Sequence, residues 1–387
     1  MRILIYPWDI YPYEDIICTF NEQGHSVDAP ALSAKNHLED REFELALTME
    51  LKKKDYDFVF SVNYFANIAR VCHDLKITYV SWTVDSPLIS LLTPTVFYSE
   101  NRIFVFDHSE YLKLRERGVK QVFHLPLAGN PHRCSSTTTC KSNEIYPVSF
   151  LGNLYDKNYY DALCSILPDY LCGYIDAAME AQLNIPCGNI FPYLLTDSIF
   201  QELKPYLHLD DSFNSCFETE GDELLQMQFS TRVLSHKTAA LIRIRTLNTL
   251  AKDFPVHLFT TSSTTPLRQV QVHPPVDYHT EMSEVFARSK INLNMTAPNI
   301  ESGIPLRAWD ILSAGGFLLT DYRPEYDKLL INGQDMVIYE NLTDLKQKAS
   351  YYLSHEEERL EIARNGYKRI LQEHNYQNRI QKMLETL

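Results

Sequence analysis

Residues 289–321 read SKINLNMTAPNIESGIPLRAWDILSAGGFLLTD. Ile291, Leu293 and Met295 alternate with polar neighbours, as they would in a strand. A polar loop follows, then a short helix, then Gly315, Gly316 and a second apolar strand. Pro305 suits the first turn of that helix, where its missing N–H would be unpaired anyway. The two glycines suit the helix C-terminus, where positive φ is needed. Free N–H groups at such a helix start attract phosphate, and the helix dipole adds to the attraction. Gly303 lies in the loop that approaches it. Arg307 can meet a diphosphate in bidentate fashion, and Asp310 can accept from a ribose diol. The stretch therefore predicts a nucleotide-diphosphate pocket. The plainer alternative is a surface ion pair between Arg307 and Asp310, three residues apart on one helix.

Composition narrows the setting. A chain of 387 residues outgrows one small core, so two domains are expected. A formal net charge of −14 disfavours a general nucleic-acid binder, which needs a basic surface. The one basic cluster, Arg364, Lys368, Arg369 and Arg379, reads as a solvated helix face. The apolar run at residues 2–6 is too short for a signal peptide, and no run approaches the roughly 18 residues that span a bilayer. A cytoplasmic protein is expected. Its eight cysteines form no CxxC pair and read as reduced thiols, with a zinc site from Cys134, Cys140 and His132 disfavoured by spacing.

Outward from the opening stretch, the chain alternates short apolar strands with helices. Strands are expected at residues 2–6, 26–28, 58–61, 77–82, 102–106 and 121–125, with helices between several of them. Residues 128–145 are polar and Ser/Thr-rich and read as a linker. A second series begins at residues 148–152. Residues 155–235 are helical and aromatic without strand alternation, so they read as an insertion. The series resumes with a helix over 236–252, strands at 256–260 and 269–272, and a helix over 281–289. The fold class is therefore α/β, with two Rossmann-like parallel sheets covered on both faces. The expected domains are 1–130, 146–365 with its insert at about 155–235, and a closing helix at 366–387.

Arg307-Ala308-Trp309-Asp310 followed by Ser313-Ala314-Gly315-Gly316 resembles the C-terminal signature of CgeB-like, GT-B-type bacterial glycosyltransferases. The resemblance extends to Ser81-Trp82-Thr83-Val84-Asp85-Ser86-Pro87, to Phe106-Asp107-His108 and to His124-Leu125-Pro126-Leu127-Ala128. It covers most of the chain and is weakest in the insert. It implies the GT-B architecture, with catalysis in a cleft between two domains and the last helix crossing back to the first. Related retaining enzymes carry two acids eight residues apart. Asp310 matches the second, but Ser302 occupies the first position and Glu301 lies one residue off, so the anomeric outcome stays open.

Candidate residues sit at expected strand ends. Asp85 follows a strand and can act as base on an acceptor hydroxyl, or serve as an Asp turn before Pro87. His124 can be a base or a hydrogen-bonding residue, and Asp107 fits a helix N-cap. Gly152 and Asn153 follow the first strand of the second domain, where the backbone can approach donor phosphates. Arg243, Arg245 and Lys237 can meet a departing diphosphate, although only one of the two arginines can face the site. Thr261, within a Thr260–Ser263 turn, can touch the nucleotide; Tyr278 can stack on its base; Asn294 and Thr296 point to the phosphate loop. There is no Walker loop, GxGxxG fingerprint or DxD triplet, so ATPase, NAD-dependent and metal-centred readings lack support. The expected function is transfer of a sugar from a nucleotide diphosphate, UDP favoured, to a glycan, protein or other acceptor. No cofactor and no metal are expected. The alternative is a non-catalytic scaffold of the same fold that binds nucleotide or glycan in cell-surface or spore-coat assembly.

Overall fold

The structure, a computed structural model, describes residues 1–8, 10–133, 145–207 and 221–387. It divides into two compact units: Met1–Asn130 with Gly303–Trp309 and Ile370–Leu387, and Pro131–Ser302 with Asp310–Arg369. Each unit is built on a six-stranded, all-parallel sheet. Most of the expected 128–145 linker, part of the insert, and Cys134, Cys140 and Cys216 lie outside the described residues.

In the first unit the strands are β1 (Arg2–Ile5), β2 (Ser26–Asp28), β3 (Phe58–Val62), β4 (Thr78–Trp82), β5 (Asn101–Val105) and β6 (Val122–His124). Their order is β2-β1-β3-β4-β5-β6. Every residue of β3 is buried, as expected of a parallel strand covered on both faces. Helices α1 (Tyr13–Glu22), α2 (Arg41–Leu51), α3 (Ala66–Leu75) and α4 (His108–Glu116) supply the covers. Asp40 caps α2 through the Phe43 N–H at 3.0 Å. Gly24 and Gly118 take positive φ just beyond α1 and α4, where a side chain would be strained. The helix Tyr376–Leu384 belongs to this unit, with Gln23 Nε2 donating to the Gln377 carbonyl at 3.3 Å. Arg379 on that helix is not solvated, contrary to the reading of a basic surface face. It is 2% exposed, donates to the Pro126 carbonyl at 2.8 Å, and burial lowers its pKa to about 10. Arg369, in the second unit, pairs with Asp335 instead of water alone.

The second unit holds β7 (Tyr146–Leu151), β8 (Val256–Phe259), β9 (Gln271–His273), β10 (Ser289–Asn294), β11 (Leu318–Asp321) and β12 (Val337–Tyr339), in the order β12-β11-β10-β7-β8-β9. Between β7 and β8 the described chain holds helices and no strand, with its own apolar cluster around Leu171, Ile175, Phe191, Phe200 and Phe229. Within it Cys164 and Cys172 form a disulfide, contrary to the reading of reduced thiols, whereas Cys18, Cys72 and Cys187 are free. A helix end and the next helix start bring the Cα atoms of the bonded pair to 5.7 Å, inside the range a disulfide spans. Only Gly315 of the glycine pair has positive φ, +71°. Gly316 is needed for room: a Cβ there would lie 2.7 Å from Asn292 Nδ2. Among the described residues no helix is long and apolar enough to cross a membrane.

Candidate active site

A parallel sheet binds ligands beyond its strand C-termini, at the point where strand order reverses. In the second unit the chain starts at β7, runs outward through β8 and β9, then returns to β10 on the other side. The reversal therefore lies between the ends of β7 and β10. Gly152 and Asn153 leave β7 there, and residues 295–302 leave β10.

Arg243, on the helix His236–Leu250, joins these two loops. Its guanidinium donates to the Asn153 carbonyl and, at 3.1 Å, to the Met295 carbonyl. The same group lies 4.7 Å over the Tyr155 ring and 5.3 Å over Phe150. Two residues on, Arg245 turns to solvent and pairs with Glu180 at 2.8 Å, while Lys237 pairs with Asp161 at 2.6 Å. Of the three cations singled out in the sequence, only Arg243 reaches the reversal point. Ser262 fixes the β7 loop by accepting from Leu154 N at 2.8 Å and donating to Asn153 Oδ1 at 3.0 Å. Its exposed neighbour Thr261 lies beside this contact.

His236 opens the Arg243 helix and stacks on Tyr155, ring centroids 4.5 Å apart. Burial lowers its pKa to about 4, with Arg232 and Arg243 adding to the effect. Its imidazole is therefore neutral at pH 7. Sequence reading passed over it, because a histidine at a helix start carries no pattern.

Asn294 and Thr296 are buried within a polar network. Asn294 Nδ2 donates to Thr320 Oγ1 at 3.0 Å, and Thr296 Oγ1 donates to Asp321 Oδ1 at 2.9 Å. Arg323 closes the network, 3.1 Å from Asp321 and donating to the Thr296 carbonyl at 3.3 Å. Burial raises the Asp321 pKa and Arg323 opposes the rise. The network holds the start of the 295–302 loop. Asp321 and Arg323 were not legible as site residues, since they close β11 without any motif of their own.

Tyr278 is buried and donates from its hydroxyl to Asp310 Oδ1 at 3.0 Å. The Arg133 guanidinium covers the Tyr278 ring at 4.2 Å and stands 3.6 Å from Asp310. Asp310, Tyr278 and Arg133 thus form one cluster, of which the sequence indicated the first two. Arg307 lies half-buried in the first turn of the helix Leu306–Ser313. Gly303 packs against the first unit's β5 end: a Cβ there would meet the Phe106 ring at 2.8 Å and Asp107 Cα at 3.1 Å.

In the first unit Asp85 is exposed just beyond β4, and Asn63, in the left-handed region at φ 65°, donates to its Oδ2 at 2.8 Å. Asn63 Oδ1 accepts from Val84 N at 2.9 Å, which fixes the turn that presents Asp85. Asp107 caps α4 through Ser109 N at 3.0 Å and accepts from the Ser86 hydroxyl at 3.1 Å. His124 ends β6, where Nε2 donates to the Phe106 carbonyl at 3.2 Å, since a carbonyl only accepts. β4 and β6 are two strands apart, about 10 Å at ordinary spacing.

Two six-stranded parallel α/β sheets define the GT-B glycosyltransferase fold, and the solved structures agree. A glycosyltransferase from Rickettsia africae ESF-5 superposes with a TM-score of 0.52 at 9% identity, covering 100% of this chain and 97% of that one. HepE from Anabaena, solved in complex with UDP and glucose, gives 0.51 at 9% identity with 100% of both chains covered. Its complex with UDP-glucose gives 0.50 at 11% identity, covering 100% of this chain and 99% of that one. Residues 243–385 match the family model described as glycosyl transferase-like. No curated protein matches the sequence.

Proposed function

We propose that this protein is a GT-B glycosyltransferase of CgeB-like type, bacterial and cytoplasmic, that moves a sugar from a nucleotide diphosphate to an acceptor hydroxyl on a glycan or protein. The observation that carries the reading is Arg243 at the strand-order reversal of the second unit, where a glycosyl transferase-like match begins. Two of its five N–H donors hold backbone carbonyls; among the described residues its buried Nε–H has no partner. The N–H groups left on its two terminal nitrogens suit an anion. In this reading Gly152, Asn153, Thr261, Asn294, Thr296 and Gly303 shape the donor loops, and Arg307 shares the diphosphate charge. Tyr278 and Asp310 would hold the nucleoside. UDP is favoured because HepE, which shares the fold, was solved with UDP and with UDP-glucose.

The acceptor oxygen attacks the anomeric carbon as the bond from that carbon to the phosphate oxygen breaks. Asp85 or His124 takes the acceptor proton. The nucleoside diphosphate leaves with its new charge facing Arg243, a cation held by two backbone carbonyls that need not reorganise as the charge develops. No metal is assigned a role in this scheme.

Calorimetric titration with UDP, GDP, TDP and CDP, beside the variant Arg307→Ala, tests the reading. One nucleotide should bind preferentially and weaken at least tenfold in the variant. Binding of none of the four, or unchanged affinity in the variant, would refute the donor assignment and favour the scaffold alternative.

A further inference from the structure

Helix α4 lies along residues 86–92, the segment that follows Asp85, and grips it at three places. Asp107 accepts from the Ser86 hydroxyl at 3.1 Å, and Glu110 accepts from Leu88 N at 2.8 Å. Arg117, just past the helix, donates to the Leu91 and Leu92 carbonyls at 3.2 Å each. Positions 107, 110, 114 and 117 fall on one helix face, and Leu114 between the polar contacts is buried. The grip and Asn63 together leave the Asp85 turn little freedom.

Glu110 is an acid, and among the described residues no ion pair to it is seen. It is 7% exposed, and Asp107 and Lys113, both from the α4 region, act on it electrostatically. The gripped segment faces it with the Leu88 amide and the Ser86 hydroxyl, neither charged. Burial pushes its pKa up to about 8; the Leu88 N–H, Lys113 and the Ser86 hydroxyl oppose the rise and Asp107 adds to it. Its Oε2 is buried with no hydrogen-bond partner among the described residues, so burial there disfavours the charged form. A carboxylate in the same place is poorly hydrated, and lifting residues 86–92 off α4 would remove the Leu88 N–H that faces it.

We propose that Glu110 is a positioning residue, a protonated latch that holds residues 86–92 on α4 and so fixes Asp85. The latch is a property of the first unit alone; its link to turnover rests on the reading of Asp85 as a base. Deprotonation opens the segment and costs turnover without touching donor binding.

Amide hydrogen exchange of residues 86–92 in the wild type and in Glu110→Gln tests this. Gln keeps the acceptor for Leu88 N and cannot ionise. Protection in the wild type, relative to the variant, should fall by roughly a hundredfold between pH 6 and pH 9.5, most of it below pH 8. Transfer kcat should show an alkaline fall in the wild type that is absent from the variant, with donor KM alike in both. Equal protection at both pH values would overturn the latch. Altered protection with identical kcat profiles would overturn the positioning of Asp85. Absence of transfer in both proteins at every pH would count against the glycosyltransferase reading, while the exchange data would still decide the latch.

Discussion

Replacing Arg243 by lysine separates a clamp from a simple positive charge. The guanidinium holds two carbonyls, Asn153 and Met295, on loops that leave neighbouring strands, and its planar fork allows both at once. A lysine ammonium keeps the charge but reaches one carbonyl in that geometry. A hydrogen bond from a charged donor is worth about 1.5–3 kcal/mol net, and the contact over Tyr155 adds about 0.5–1 kcal/mol. The side chain is half-buried, which favours the lower part of each range. Arg243→Lys should therefore cost about 2–3 kcal/mol in holding the two loops together. If donor binding uses that preformed crevice, about 2 kcal/mol appears as a roughly 30-fold weaker nucleotide. Titration calorimetry with UDP reads the affinity, and hydrogen exchange over residues 152–155 and 295–302 reads the loops. Affinity within threefold of wild type with unchanged exchange would refute the clamp. Weaker binding with unchanged exchange would show that Arg243 acts by direct contact with the ligand.

Gly303→Ala should destabilise the protein by about 1–3 kcal/mol, because the added methyl meets the Phe106 ring at 2.8 Å and Asp107 Cα at 3.1 Å. A fall in the thermal midpoint checks it, and an unchanged midpoint would mean that the loop shifts freely. His236 is neutral in the folded protein because burial, Arg232 and Arg243 depress its pKa to about 4, while in the unfolded chain it titrates near 6.5. Its contribution to stability is therefore fully present above pH 6.5 and is lost as pH falls toward 4. Urea unfolding of the wild type should weaken across that window, and His236→Phe, which cannot take the proton, should flatten the dependence; parallel curves for the two proteins would refute the assignment.

The fold was legible in the sequence because a parallel strand buried on both faces is a short, nearly continuous apolar run, and β3 and β7 are such runs, each broken by one serine. Shorter or less regular elements escaped: β12 has three residues, and α2 follows a loop with no strong stop signal. Within the site, local rules carried as far as local geometry goes. Two arginines two apart on a helix must point differently, and Arg243 and Arg245 do. Asp107 was readable as a cap from its neighbours alone. What escaped depends on residues distant in sequence. Ser262 meets Asn153 across 109 positions, and Arg323 reaches the Thr296 carbonyl across 27. Glu110 looks like any acid in a first helical turn until Leu88 and Ser86 are folded over it.

The insert bears on the site through covalent continuity. A π-helix over Phe229–Ser235 joins it to the helix His236–Leu250, so one unbroken helical stretch runs from the insert to Arg243. Phe229, Val233 and Leu234 are fixed in the insert's apolar cluster, and Leu247 and Leu250, farther along, are fixed in the core beneath β7 and β8. His236 and Arg243 lie between these two anchors. A π-turn holds an extra residue relative to an α-turn and is unfavourable unless the surrounding packing demands it. Here Ser235 Oγ donates to the Ser230 carbonyl at 2.9 Å, five residues back, which gives the wider turn a side-chain bond of its own. The cluster therefore sets the rotational register in which His236 meets Tyr155 and Arg243 meets both loops, and the aromatic composition of a segment without strands acquires a physical purpose.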